Sequence, residues 1–115
     1  MRLPDPIKRV ADELTELPGI GPRQAIRLAF FLVGEGKDRL QSLAASVDAL
    51  GNLKICSRCF FVHHNAGDIC DICANQNRNQ SLILIVEKET DLVSIENTGK
   101  FSGRYFIIGG IAIIT

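Results

Sequence analysis

The chain is 115 residues long, the size of one ordinary domain and too short for a β/α barrel or a complete large nucleotide-binding enzyme. Hydrophobic residues make up 46% and charged residues 23%, which excludes a disordered or collagenous chain. Thirteen basic residues balance thirteen acidic ones, so no bulk positive field marks a nucleic-acid binder, and any such activity must come from a local patch. The opening MRLPDPIKRVADELTE is too charged for a secretory signal, and no run approaches the roughly 20 apolar residues of a membrane span. The expected compartment is the cytoplasm, where thiols stay reduced. The four cysteines then read as metal ligands or free thiols before disulfides.

In chain order, Asp5-Pro6 predicts a helix start, with Asp5 as N-cap and Pro6 at the first helical position. Ile7, Val10, Ala11, Leu14 and Leu17 follow at helical spacing, and Pro18-Gly19 stops the helix. Gly21-Pro22 starts a second, with Ala25, Leu28, Ala29 and Leu32 as its apolar stripe. A third carries Leu40, Leu43, Ala44, Val47 and Leu50, with Gly51 expected as a left-handed cap. The cysteines occupy a stretch of little periodicity between Cys56 and Cys73. Leu82–Val86 reads as a strand buried on both faces. Asp91–Asn97 reads as a short helix with Thr90 as cap and Gly99 as stop, and Tyr105–Ile108 as a second strand. Strand, helix, strand with short links implies the start of a parallel α/β sheet. The end, YFIIGGIAIIT, is almost wholly apolar, which two strands and one helix cannot bury, and the expectation is a chain that stops partway through a larger domain.

Three groups of residues carry chemistry. In Leu17-Pro18-Gly19-Ile20-Gly21-Pro22 two glycines bracket an apolar residue between two amphipathic helices. Gly19 and Gly21 let backbone N–H groups approach an anion at a helix N-terminus, where the dipole favours phosphate. Ile20 would plug the inside of the hairpin. Arg23 and Arg27, four apart, share one face and can neutralise adjacent phosphates without reading sequence. The plain alternative is an αα-hairpin whose arginines are simply solvated.

Cys56-x2-Cys59-x10-Cys70-x2-Cys73 has the spacing of a tetrahedral Zn2+ site, and four thiolates leave no position for water or substrate, so the site should be structural. His63 and His64 lie between the knuckles; they can replace a cysteine, but with four cysteines present they read as solvated loop residues. Glu87 follows the first strand, with Glu89 and Asp91 nearby, at the strand end where parallel sheets bind ligands. With further acids it would hold Mg2+; alone it reads as a solvated carboxylate. No GxxxxGK[ST] loop and no Ser/His/Asp set is present, so no catalytic residue is nominated.

In this order, LTELPGIGPRQAIRLAFFL, the four-cysteine segment, SLILIVEKETDLVSIENTG and FSGRYFIIGG resemble successive parts of the RecR family of bacterial recombination-repair proteins, over residues 1–110. The resemblance implies an α+β chain: a helix-hairpin-helix DNA-binding region over 1–53, a four-cysteine zinc finger over 54–77, and over 78–115 the first β-α-β elements of an incomplete α/β Toprim domain. It implies a recombination mediator, not an enzyme, that self-associates into rings around DNA and acts with RecF and RecO to help load RecA at gapped DNA. Arg23 and Arg27 match the family's DNA-contacting positions, the four cysteines its zinc ligands, and Glu87 its leading Toprim glutamate. The departure is Ile111-Ala112-Ile113-Ile114-Thr115, which stands where the family has a polar Asp-Gly loop, so a truncated form is expected. Two other classes stay open: a Toprim-type, Mg2+-dependent nuclease or primase using Glu87, and a zinc-stapled protein-interaction module that binds no DNA.

Overall fold

A computed structural model describes residues 2–110; the expectation of an apolar tail at 111–115 lies outside them. No helix among the described residues is long and apolar enough to cross a membrane. The architecture is α+β, in two compact units divided between Ala49 and Leu50.

The N-terminal unit is three helices: α1 (Asp5–Thr15), α2 (Pro22–Glu35) and α3 (Lys37–Ala49). Its core is small: Ile7 and Ala11 of α1 against Ala25 and Ala29 of α2, with Leu3, Leu14 and Ile20 packed around them. Alanines at 25 and 29 let α1 and α2 approach closely. The N-cap of α1 is Pro4, not Asp5: Pro4 is extended at φ −54°, ψ 141°, and its carbonyl accepts the first helical N–H, from Lys8 at 3.1 Å. Asp5 therefore sits in the first turn, where its charge suits the helix dipole. The α3 stripe is another correction. None of its residues is buried, Leu40 and Leu43 are half-buried, and Val47 and Leu50 are exposed. Gly51 takes no left-handed conformation; it belongs to a 3-10 turn, Leu50–Asn52, that follows α3 in the sequence.

The C-terminal unit opens with a two-residue antiparallel hairpin, β1 (Lys54–Ile55) and β2 (Val62–His63), followed by α4 (Asp71–Ala74). Next come β3 (Ile83–Val86), α5 (Glu89–Glu96) and β4 (Arg104–Ile107). As expected, β3 and β4 are parallel, from Ile83 opposite Arg104 to Val86 opposite Ile107. Val86, Leu92, Tyr105 and Ile107 form the core, and Phe60, Phe61 and Ile72 of the cysteine segment pack against it.

The two-sided burial expected of β3 is not found. Leu84 and Val86 face the core, whereas Ile83 and Ile85 are exposed, as are Phe106 of β4 and Ile108 just after it. One helix covers one face only, so the alternation of a strand decides which apolar residues are buried. The helix begins at Glu89, with Lys88 as N-cap and Thr90 inside it. Asp91 fixes that start by accepting the Lys88 N–H at 3.1 Å. Gly99, at φ +68°, ends the helix as expected. Gly103 is buried, and a Cβ there would collide with the Leu82 carbonyl, which accepts the Arg104 N–H at 2.8 Å. Only glycine lets the chain enter β4 this close to β3.

Candidate metal centre and nucleic-acid hairpin

The two Cys-x-x-Cys knuckles bring four thiols together. Cys56, Cys59, Cys70 and Cys73 are all at most 4% exposed, and their Sγ atoms lie within 4.8 Å of one another. A tetrahedral zinc with Zn–S bonds of about 2.3 Å needs sulfurs about 3.8 Å apart. Cys59 and Cys70 Sγ stand 3.5 Å apart, far outside the roughly 2.05 Å of a disulfide, and all four cysteines are free. The set can hold a metal ion, and its four-sulfur donor chemistry suits zinc.

Local structure builds this geometry. The Phe60 N–H bonds to the Cys56 carbonyl at 3.0 Å, and the Cys56 N–H to the Phe61 carbonyl at 2.7 Å, closing the first knuckle. Phe60 is left-handed at φ +69°, an uncommon place for a bulky residue. In the second knuckle Cys70 precedes α4 as its N-cap and Cys73 lies within it. Lys54 Nζ reaches back to the carbonyls of Asn65 and Ala66, at 2.9 and 3.0 Å, and ties down the intervening loop.

The thiols are electrostatically unequal. The side-chain hydrogen bond between Cys59 and Cys70 pushes Cys59 far up and draws Cys70 down to about 5. Burial raises Cys73 to about 12. Burial also works against the Cys56 thiolate, but hydrogen bonds from the backbone at Cys59, Cys70 and Arg58 leave it below the usual thiol range. Thiols crowded this way share protons that a cation would displace.

His63 and His64 part company. His64 is exposed, as read from the sequence; His63 is buried on β2, so the solvated-loop reading fails there. Neither joins the ligand group. The hairpin explains the difference, since adjacent strand residues point to opposite sides.

Glu87 lies exposed at the C-terminal end of β3, and its carbonyl accepts the Gly109 N–H at 2.7 Å. Asp91 is occupied as the α5 cap, and Glu89 lies against Gly110. Among the described residues only the cysteines gather into a metal-ligating group.

In the N-terminal unit, Gly19 turns the chain at φ +82°, which an L side chain adopts only under strain. Ile20 folds back onto the α1–α2 core. Gly21 is the extended N-cap of α2, with Pro22 at its first position. The Ala25 N–H takes the Gly21 carbonyl at 2.9 Å, so the N–H groups of Arg23 and Gln24 are left without helical acceptors. The Arg23 and Arg27 side chains are exposed on the same helix.

The sequence model described as RecR, helix-hairpin-helix, matches residues 7–50. The recombination protein RecR of Roseiflexus sp. strain RS-1 is 44% identical over 109 residues, 94% of this chain and 52% of the relative. The chain is similar to RecR proteins over nearly its whole length. RecR of Roseiflexus castenholzii is 41% identical over 109 residues, and RecR of Gloeobacter violaceus 43% over 107. The chain spans about half the length of these curated RecR relatives.

Sequence reading missed one constellation in the C-terminal unit. Arg78, inside the polar run NQNRNQS, bonds to the Gly103 carbonyl at 2.7 Å and to both carboxylate oxygens of Glu96, and Tyr105 Oη donates to the same carboxylate at 2.8 Å. A lone arginine among amides gave no signal of it.

Proposed function

We propose that this chain provides the DNA-gripping and zinc-stapled portion of a recombination mediator. The carrying observation is the hairpin: a left-handed Gly19, an inward Ile20, free N–H groups opening α2, and exposed Arg23 and Arg27 beside them. Amide donors at a helix N-terminus with two cations on the following turns form a sequence-independent phosphate clamp. The four cysteines, on this reading, bind one structural Zn2+ that holds residues 54–77 together; residues 1–53 form the DNA-binding part. Residues 78–115 are the opening elements of a Toprim fold, with Glu87 at its acidic position and no catalytic role assigned. By family relationship the partners are RecO, RecF and further copies of the chain, the task is loading RecA at gapped DNA, and the setting is the cytoplasm.

Fluorescence anisotropy on duplex DNA across a salt series tests the clamp. The parent chain should bind, and Arg23→Ala/Arg27→Ala should lose affinity with a salt slope shallower by about two. Zinc content is checked in both proteins. A double mutant that binds with unchanged slope would remove the hairpin from the DNA interface.

A further inference from the structure

His63 is the buried polar or charged residue among those described, with 7% of its surface exposed. Its Nδ1 accepts the Asn65 N–H at 3.1 Å, and a ring nitrogen that accepts holds no proton, so the neutral imidazole carries its proton on Nε2. That Nε2 is enclosed and meets no hydrogen-bond partner. Folded interiors rarely leave such a donor unpaired.

The cysteine cluster has the complementary need. Four thiolates around a divalent cation keep a net negative charge, which buried N–H donors stabilise. Two backbone donors already serve it: Phe61 N–H to Cys59 Sγ and Cys70 N–H to Cys56 Sγ, both at 3.4 Å. Phe61 packs against the four cysteines, and a residue two further along an extended strand shares its side, which is where His63 falls. His63 and Cys70 also line one cleft, together with Phe61 and Asp71.

We propose that His63 Nε2–H donates a hydrogen bond to a ligand sulfur of the metal-loaded cysteine centre, as a positioning residue that does not itself bind the metal. The four cysteines complete a tetrahedral shell without it. This role rests on the cysteine set being a metal site.

The test uses the whole chain loaded with cadmium-113 and labelled with nitrogen-15. The His63 Nε2 proton should show scalar coupling to the metal, transmitted through the N–H···S bond. In zinc competition against a chromophoric chelator, His63→Leu should bind about tenfold more weakly, while His63→Gln, which keeps an N–H donor, stays within about threefold of the parent. A cadmium-loaded chain without that coupling overturns the role of His63 and leaves the metal site standing. A chain that takes up neither cadmium nor zinc overturns both. The coupling is read on the unsubstituted chain, so it decides even where His63→Leu fails to fold.

Discussion

Arg78 and Glu96 meet as a two-pronged pair, Nη1 to Oε2 at 3.2 Å and Nη2 to Oε1 at 2.6 Å, across 18 residues of sequence. The same guanidinium also holds the carbonyls of Phe101 and Gly103. It therefore pins the segment after the cysteines to the end of α5 and the entry of β4. The hydrogen bond and charge of Glu96 raise Arg78 above its usual range, and those of Arg78 hold Glu96 below its own.

Removing one partner leaves the other charge half-buried with unmatched donors. Glu96→Gln is expected to destabilise the chain by about 2 kcal/mol at pH 7, the scale of hydrogen bonds to a charged group. Urea denaturation reads it. A midpoint equal to the parent's would reduce the pair to a surface ornament of the kind that contributes little.

The same pair sets an acid limit. Glu96 is depressed in the folded state, so its contribution is fully present above the unfolded carboxylate value of about 4.3 and is lost as pH falls through the lower folded value. Tyr105 runs the other way: burial and the Glu96 carboxylate raise it to about 12. Its contribution is present below the unfolded value of about 10 and is lost as pH climbs toward 12. Denaturation midpoints from pH 2 to 12 should fall at both ends, and Glu96→Gln should flatten the acid limb. An acid limb unchanged by that substitution would assign it to other carboxylates.

Metal removal should be felt beyond the cysteines. The Cys59 carbonyl accepts the Ile107 N–H at 3.0 Å, and the Phe60 ring meets Phe106 edge-on at 5.2 Å. The first knuckle thus forms part of the edge of β4. Stripping the metal with a chelator is expected to unfold residues 54–77 and to speed hydrogen exchange at Ile107 by about tenfold or more. Exchange that accelerates only within residues 54–77 would show the knuckle and the strand to be uncoupled.

Gly103 offers a steric test of the strand pairing. Gly103→Ala places a methyl against the Leu82 carbonyl, and backbone cannot step aside as a side chain can. A loss of about 1–3 kcal/mol is expected, typical of overpacking. An unchanged urea midpoint would mean that β4 enters the sheet with slack.

What the sequence makes legible follows from which signals are local. The Cys-x-x-Cys pairs and the Gly19–Gly21 turn are short-range chemistry, so spacing alone located both knuckles and the hairpin. Parallel pairing was readable because eight helical residues cannot return a chain antiparallel to its neighbour as a tight hairpin does. Sidedness was not. Ile83 and Leu84 are equally apolar neighbours, and only the position of α5 decides that Leu84 turns inward. Nor do residue types reveal His63, whose burial depends on a two-residue strand pairing, or Arg78, whose acceptors are backbone carbonyls from distant turns. The cap of α1 moved by one residue because Pro4 supplies the extended conformation that the sequence pattern credited to Asp5.

Phe60 combines strain and packing at one position, and the two can be separated. A left-handed backbone costs a non-glycine residue roughly 1–2 kcal/mol, yet the ring contributes to the core around Val86 and Ile107. Phe60→Ala removes the ring and keeps the strain; Phe60→Gly removes both. Both variants should be less stable than the parent, since the half-buried ring outweighs the turn. Phe60→Gly should nonetheless exceed Phe60→Ala by about 1 kcal/mol, reversing the usual order of the two residues in regular structure. Urea denaturation of the zinc-loaded chains measures the gap. An alanine variant as stable as the glycine variant would show that the knuckle relaxes out of the left-handed conformation once the ring no longer holds it there.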